Sequence, residues 1–452
     1  MNRKSQEGAL ESLGIPVETA RLGNGLRVVV SPDRSAPVVL VGVYYRIGFR
    51  LEPEGRSGFA HLFEHMMFQG SENAGKMMHI RLVNASGGVL NGSTAYDYTN
   101  YFEVVPSNAL DRMLWLEADR MRALDVTEEN LRNQRDVVKE EVRVNVLNRP
   151  YGGFPWLDLP PVAYRRWPNA HNFYGDFEDL DAASLADVRE FFRTYYTPRN
   201  AVLVIVGDVE PTEAFVLAER HFGPIPAGPE PPHADVDEKP PGEERRGVVE
   251  EKFGNLGGLA VGYYAPERRT EDWYALALAD RALHGGRAGR VYRELVLERQ
   301  VAVDTDGGIN YSSGDLFDYT GPMLMTTRIL HRPDFTTEAV LAAYDKVIDE
   351  FREKGTDADE MEQVRAKLKS DYYSALEAGS SIPRFGRMHY LACFSLFDDD
   401  PALVNTVLDH FADITPERVR ESAARYLKPA NRAMVERRPV KARPDLSGGG
   451  AQ

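Results

Sequence analysis

A chain of 452 residues exceeds the size at which a single hydrophobic core stops growing, so two or more domains are expected. Its 69 acidic against 54 basic residues leave a formal charge of -15, which argues against nucleic acid or an anionic membrane surface as partner. A single cysteine, Cys393, excludes an intrachain disulfide and a four-cysteine metal site, and the longest apolar runs are too short to span a bilayer.

In chain order, residues 26–30 follow a Gly-Asn-Gly turn and read as a strand, as does the β-branched and aromatic run 37–45. Residues 56–70 read as a helix with Ser57 as N-cap. Two more strands, 87–95 and 100–105, lead into helices over 108–124 and 127–147. The second of these opens on Thr127 with acids in its first turn and a polar residue three positions on. An irregular Pro- and aromatic-rich stretch, 149–178, precedes a helix at 185–195 and a strand at 200–207.

Residues 224–247 hold seven prolines among many charges, a linker composition. The expected division is therefore a domain at 16–225, a linker at 226–246, a second domain at 247–440 and a disordered tail at 441–452. The second half replays the first. Tyr196-Thr197-Pro198-Arg199-Asn200-Ala201 joins a helix to a strand, and Tyr426-Leu427-Lys428-Pro429-Ala430-Asn431-Arg432-Ala433 does so about 230 residues later. The strand at 259–264 and the helix at 270–283 likewise repeat 38–45 and its helix. Duplication at this period means two homologous domains rather than a solenoid. The expected fold class is α+β, each domain a mainly antiparallel sheet covered by helices.

The sharpest feature is His61-Leu62-Phe63-Glu64-His65. On a helix, residues three and four apart share a face, so two imidazoles can point at one ion with Glu64 beside them. Zinc takes imidazole nitrogen and carboxylate oxygen, and a catalytic site leaves a position for water, whose proton an adjacent carboxylate can accept. Structural histidines alone have no reason to bring a glutamate to the same face.

Three strings together resemble the pitrilysin or insulinase-type zinc peptidases, in the branch of the mitochondrial processing peptidases. They are residues 58–70 around that motif, Gly87-Gly88-Val89-Leu90-Asn91-Gly92-Ser93-Thr94, and Gln134-Arg135-Asp136-Val137-Val138-Lys139-Glu140-Glu141-Val142. The resemblance implies zinc held by His61, His65 and a distal glutamate, with Glu64 activating water. Taken alone, Glu140 and Glu141 read as a solvated helix face, and helix geometry permits either as ligand; the family's spacing selects Glu141. Where the family often carries a second glutamate, seven residues earlier, this chain has Gln134.

Residues 91–94, with Asn91 and Thr94, are the candidate substrate strand, since a peptide can add to a sheet edge; an ordinary hairpin is the alternative. Relatives grip the substrate backbone with Arg and Tyr of the second domain, and Tyr311, Tyr319 and Arg328 lie in the right region. His171 and His284 lack ligand spacing and read as packing or surface residues, and 286–289 as a helix break. The expected function is zinc-dependent cleavage of unfolded peptides inside a chamber. The resemblance implies a dimer, with a second copy or with a related chain lacking the zinc motif. The alternative is a non-catalytic assembly subunit on the same fold. Without an apolar signal core the protein is expected in the cytoplasm, or in the periplasm if a leader was removed.

Overall fold

In the computed structural model, residues 14–378 and 382–440 are described; the expected tail at 441–452 lies outside them. The first half contributes β1 (Glu18–Arg21), β2 (Arg27–Pro32), β3 (Val38–Tyr45), β4 (Val89–Thr94), β5 (Thr99–Pro106) and β6 (Ala201–Gly207). They form one sheet in the order β1-β2-β6-β3-β5-β4. The second half contributes β7 (Arg245–Glu251), β8 (Gly257–Tyr264), β9 (Ala302–Ile309), β10 (Leu324–His331) and β11 (Arg432–Pro439), ordered β7-β11-β8-β10-β9.

Apart from β1, the two orders are the same. β2 runs parallel to β6 as β7 does to β11, and every other pair in both sheets is antiparallel. The repeated Pro-x-Asn has a physical reason. Asn200 donates to the carbonyls of Tyr195 and Arg46, and Asn431 to those of Tyr426 and Tyr264, so each amide ties a helix end to the central strand of its own sheet. These are two homologous α+β domains.

Counting helices longer than two turns, the first half holds α1 (Phe59–Met66), α2 (Met78–Ala85), α3 (Leu110–Arg122), α4 (Glu128–Val142), α5 (Leu185–Tyr195) and α6 (Pro211–Phe222). The second holds α7 (Glu271–His284), α8 (Thr337–Lys354), α9 (Ala358–Ala378), α10 (Phe385–Asp398) and α11 (Pro416–Tyr426). α2, α6, α8, α9 and α10 were not expected. α2 buries only His79 and Val83 and has no side-chain cap, so it carries little helical signal. The helix read at 56–70 is shorter than expected, and α4 ends in a π-helical turn, Arg143–Leu147.

Alternation along the strands splits the core. Val28, Val30, Val41 and Val43 face the helices of the first half, whereas Val29, Leu40 and Tyr44 join one continuous core with the second half. Strands buried on both faces read as unbroken apolar runs, as these do. α10 lies across the far face of the first sheet, and Gly42 makes room for it: a Cβ there would sit 2.7 Å from Met388 Sδ. In return, Phe154, Leu159, Ala163 and Tyr164 pack on the second sheet beside Ala260, Tyr264 and Val435. The halves are thus bolted together through both sheets. The proline-rich stretch is extended but tied down, with Glu238 accepting from the amides of Arg165 and Arg166. No helix among the described residues is long and apolar enough to cross a membrane.

Candidate metal centre

The site begins at the buried N-terminus of α1. Ser57 is not the cap: its hydroxyl donates to Asp179 Oδ2 at 2.6 Å, and the N-cap position belongs to Gly58, at φ 80. A side chain there would meet the Tyr174 carbonyl. The first turn is capped instead by Glu52, whose oxygens accept from Gly58 N at 2.9 Å and Ala60 N at 2.6 Å. A carboxylate at a helix N-terminus both satisfies orphan amides and opposes the positive end of the dipole. His171 holds Glu52 in turn, with Nε2 3.2 Å from Oε2 and 2.7 Å from the Phe49 carbonyl, while its ring stacks on Trp167. Expected as a packing or surface residue, His171 instead holds the capping carboxylate by a hydrogen bond.

One turn apart on α1, His61 and His65 bring their Nε2 atoms to 3.3 Å. α4, capped by Thr127 as its pattern predicts, presents Glu141 from across the cleft. Its Oε2 lies 3.7 Å from His61 Nε2 and 3.3 Å from His65 Nε2. Glu140 points away, its side chain 64% exposed and paired with Arg143 at 3.1 Å. Two turns earlier, Gln134 is buried and donates to Asn133 Oδ1.

These separations fit zinc. Ligand atoms at about 2.1 Å in a tetrahedron lie roughly 3.4 Å from one another, which the three distances approximate. The donors are two imidazoles and a carboxylate, whose ligand atoms all lie within 4.8 Å of one another. Burial and then the adjacent His65 push the His61 imidazole down to about 3, keeping it in the neutral form that donates a lone pair. Glu141 is held below the ordinary carboxylate range, first by its hydrogen bond with His65. Among the described residues His61 Nδ1 has no hydrogen-bond partner, and packing against the rings of Phe173 and Tyr174 orients this imidazole.

Glu64 faces the same cleft without joining the donor set. Thr94 Oγ1 donates to its Oε2 at 2.8 Å. Burial raises the carboxyl above its usual range against the downward pull of that bond.

Two other clusters have metal-like composition. In one, His79 Nε2 sits 2.8 Å from Glu103 Oε1, a hydrogen-bond distance, and Arg120 pairs with Glu117 and Glu103. In the other, Asp318 lies 3.5 Å from His389 and accepts from Asn310 and the Asp315 amide. Both are buried networks whose charged groups already pair with one another.

The model described as Insulinase (Peptidase family M16) matches residues 27–150, and that of the Peptidase M16 inactive domain matches 182–368. The chain belongs to the insulinase-type peptidase family. It is 29% identical over 371 residues to the zinc protease PqqE of Helicobacter pylori, covering 81% of each chain, and 26% identical to an uncharacterized zinc protease of Mycobacterium leprae over 71% of this chain and 70% of that one. A solved protease from Helicobacter pylori superposes with a TM-score of 0.85 at 26% identity, over 94% of this chain and all of that one. A Pseudomonas fluorescens structure, titled a peptidase M16 inactive domain, reaches 0.82 at 18% identity over 95% of this chain and 99% of that one, a likeness of fold. His61, Glu64, His65 and Glu141 all fall in the segment matched by the first family model, and none in the segment matched by the second.

Within this insulinase-type fold the remaining expected residues separate. Asn91 and Thr94 stand on the edge strand β4, three positions apart and so on opposite faces. Asn91 is exposed and its Oδ1 accepts from the Gly92 amide. Tyr319 is a core residue taking the Trp273 indole N–H at 2.7 Å, whereas Arg328 donates to Tyr311 and pairs with Asp304. His284 bonds Asp280 and Thr327, and the helix breaks after it as expected. Sequence reasoning missed Glu52 and Tyr174, because they come from irregular segments; the aromatic density of 149–178 is the one trace of Tyr174, and Glu52 lies outside it.

Proposed function

We propose that the chain is a zinc-dependent endopeptidase acting on unfolded peptides. What carries this reading is the three-donor cluster of His61, His65 and Glu141 with the oriented carboxylate of Glu64 beside it. Zinc bound there supplies Lewis-acid polarisation of a carbonyl and lowers the pKa of water. Glu64 accepts the proton of the attacking water and passes it to the leaving amine nitrogen, a task suited to a carboxyl that burial raises above its usual range. The unpaired edge of β4 holds an extended peptide by backbone hydrogen bonds, with Asn91 and Ser93 on one face of the strand.

Because the two halves are packed face to face, an enclosing chamber requires another chain, either a second copy or a related chain without the zinc motif. A non-catalytic assembly role on this fold is the second reading. It draws on the 29% identity, over 46% of this chain and 43% of its counterpart, to a human protein named cytochrome b-c1 complex subunit 1. The complete donor set and base favour the peptidase.

The test is metal content and cleavage of a peptide library by the purified protein with any partner that co-purifies. Hydrolysis that is abolished by a chelator and restored by zinc supports the reading. A zinc-loaded preparation that cuts nothing contradicts it.

A further inference from the structure

We propose that Thr94 is a positioning residue for the general base, holding the Glu64 carboxylate in register with the attacking water rather than gripping the peptide. The inference rests on the peptidase reading above. Thr94 has one hydroxyl proton. It lies 2.8 Å from Glu64 Oε2 and 3.5 Å from the Ala60 carbonyl, so the carboxylate takes it. With Oε2 occupied, Oε1 is the oxygen left to accept the water's proton.

The strand register enforces this direction. Thr94 pairs with Thr99, and Gly92, two positions back on the same face, pairs with Tyr101, whose ring packs against Phe68 just beyond α1. A side chain at Gly92 would meet the Tyr101 ring at 3.1 Å, so this face of β4 is closed against the helix layer, and Thr94 is the residue on it that reaches Glu64. The face that carries Asn91 and Ser93 is the opposite one. Glu64 shows no other hydrogen bond among the described residues, so its orientation depends on one donor.

Thr94→Val keeps the shape and removes the donor, and Thr94→Ser keeps the donor and removes a methyl. Both are assayed as the zinc-loaded protein with its natural partner, alongside the parent chain. Valine is expected to retain zinc and KM and to lower kcat by about tenfold to a hundredfold, the scale of a misplaced catalytic group. Serine is expected to return most of that loss. An active parent with unchanged kcat in Thr94→Val overturns the inference alone, as does a raised KM at constant kcat, which makes Thr94 a peptide contact. An inactive zinc-loaded parent overturns the peptidase reading and this inference with it. Should valine fail to fold, Thr94→Ala gives the same comparison with serine.

Discussion

The Tyr174 phenol donates to Glu141 Oε1 at 3.3 Å, while Oε2 of the same carboxylate faces both histidines. One oxygen is held by the protein and the other faces the imidazoles, the arrangement by which outer partners orient a carboxylate that would serve as a metal ligand. The same ring packs edge-on against His61, 5.2 Å between centroids, so Tyr174 steadies two of the three donors. Tyr174→Phe keeps the packing and loses the hydrogen bond. Zinc affinity, read by competition with a chelator, should fall about tenfold, at the lower end of the range for such partners.

Glu52 should matter to the metal without touching it. Glu52→Gln leaves one acceptor oxygen for two amides, so one N–H at the start of α1 goes unpaired in a buried place. Thermal unfolding should report a loss of about 1–2 kcal/mol, the scale of a lost helix cap. Zinc retention should weaken as the first turn frays.

The two neighbouring glutamates on α4 should separate cleanly. Glu141→Gln should release zinc to a chelator far more readily than the parent. Glu140→Gln removes only an exposed pair with Arg143, worth about 0.5 kcal/mol or less, and should leave retention unchanged. Equal sensitivity of the two variants would mean that Glu141 is not the third donor.

Helical periodicity made much of this site legible. His61, Glu64 and His65 are fixed on one face by spacing alone, and Thr127 marks the start of α4 correctly because capping is a local matter. Between Glu140 and Glu141, however, periodicity was silent: what points one at the histidines is the packing of α4 on α1. Thr94 enters the candidate substrate strand with Asn91 through the family resemblance and the sheet edge, neither of which shows what stands behind each residue; its bond to Glu64 comes from the packing of β4 on α1. Glu52, His171 and Tyr174 come from turns and irregular stretches, where no period links residue number to direction. The duplication was visible in Pro-x-Asn at two places since the same amide solves the same join twice.

Charge gives a prediction about substrates. If the acidic excess of this chain lines the peptide chamber, its field should speed capture of basic peptides over acidic ones of equal length. That preference should shrink as salt rises from about 0.01 M to 0.15 M and the screening length falls from about 30 Å to 8 Å. Matched peptides assayed across a salt series test this, and equal rates at low salt would remove it. A folded domain should resist cleavage that its denatured form undergoes.

The most direct test of the whole account is Glu64→Gln, assayed for both zinc content and peptide hydrolysis. Glu64 bonds Thr94 and stands outside the donor cluster, so the amide should leave zinc stoichiometric. It cannot accept a proton, and kcat should fall at least about a hundredfold. Zinc retained with hydrolysis lost is the result the account predicts. Zinc retained with turnover near that of the parent contradicts it, because the proton would then be taken by some group other than Glu64.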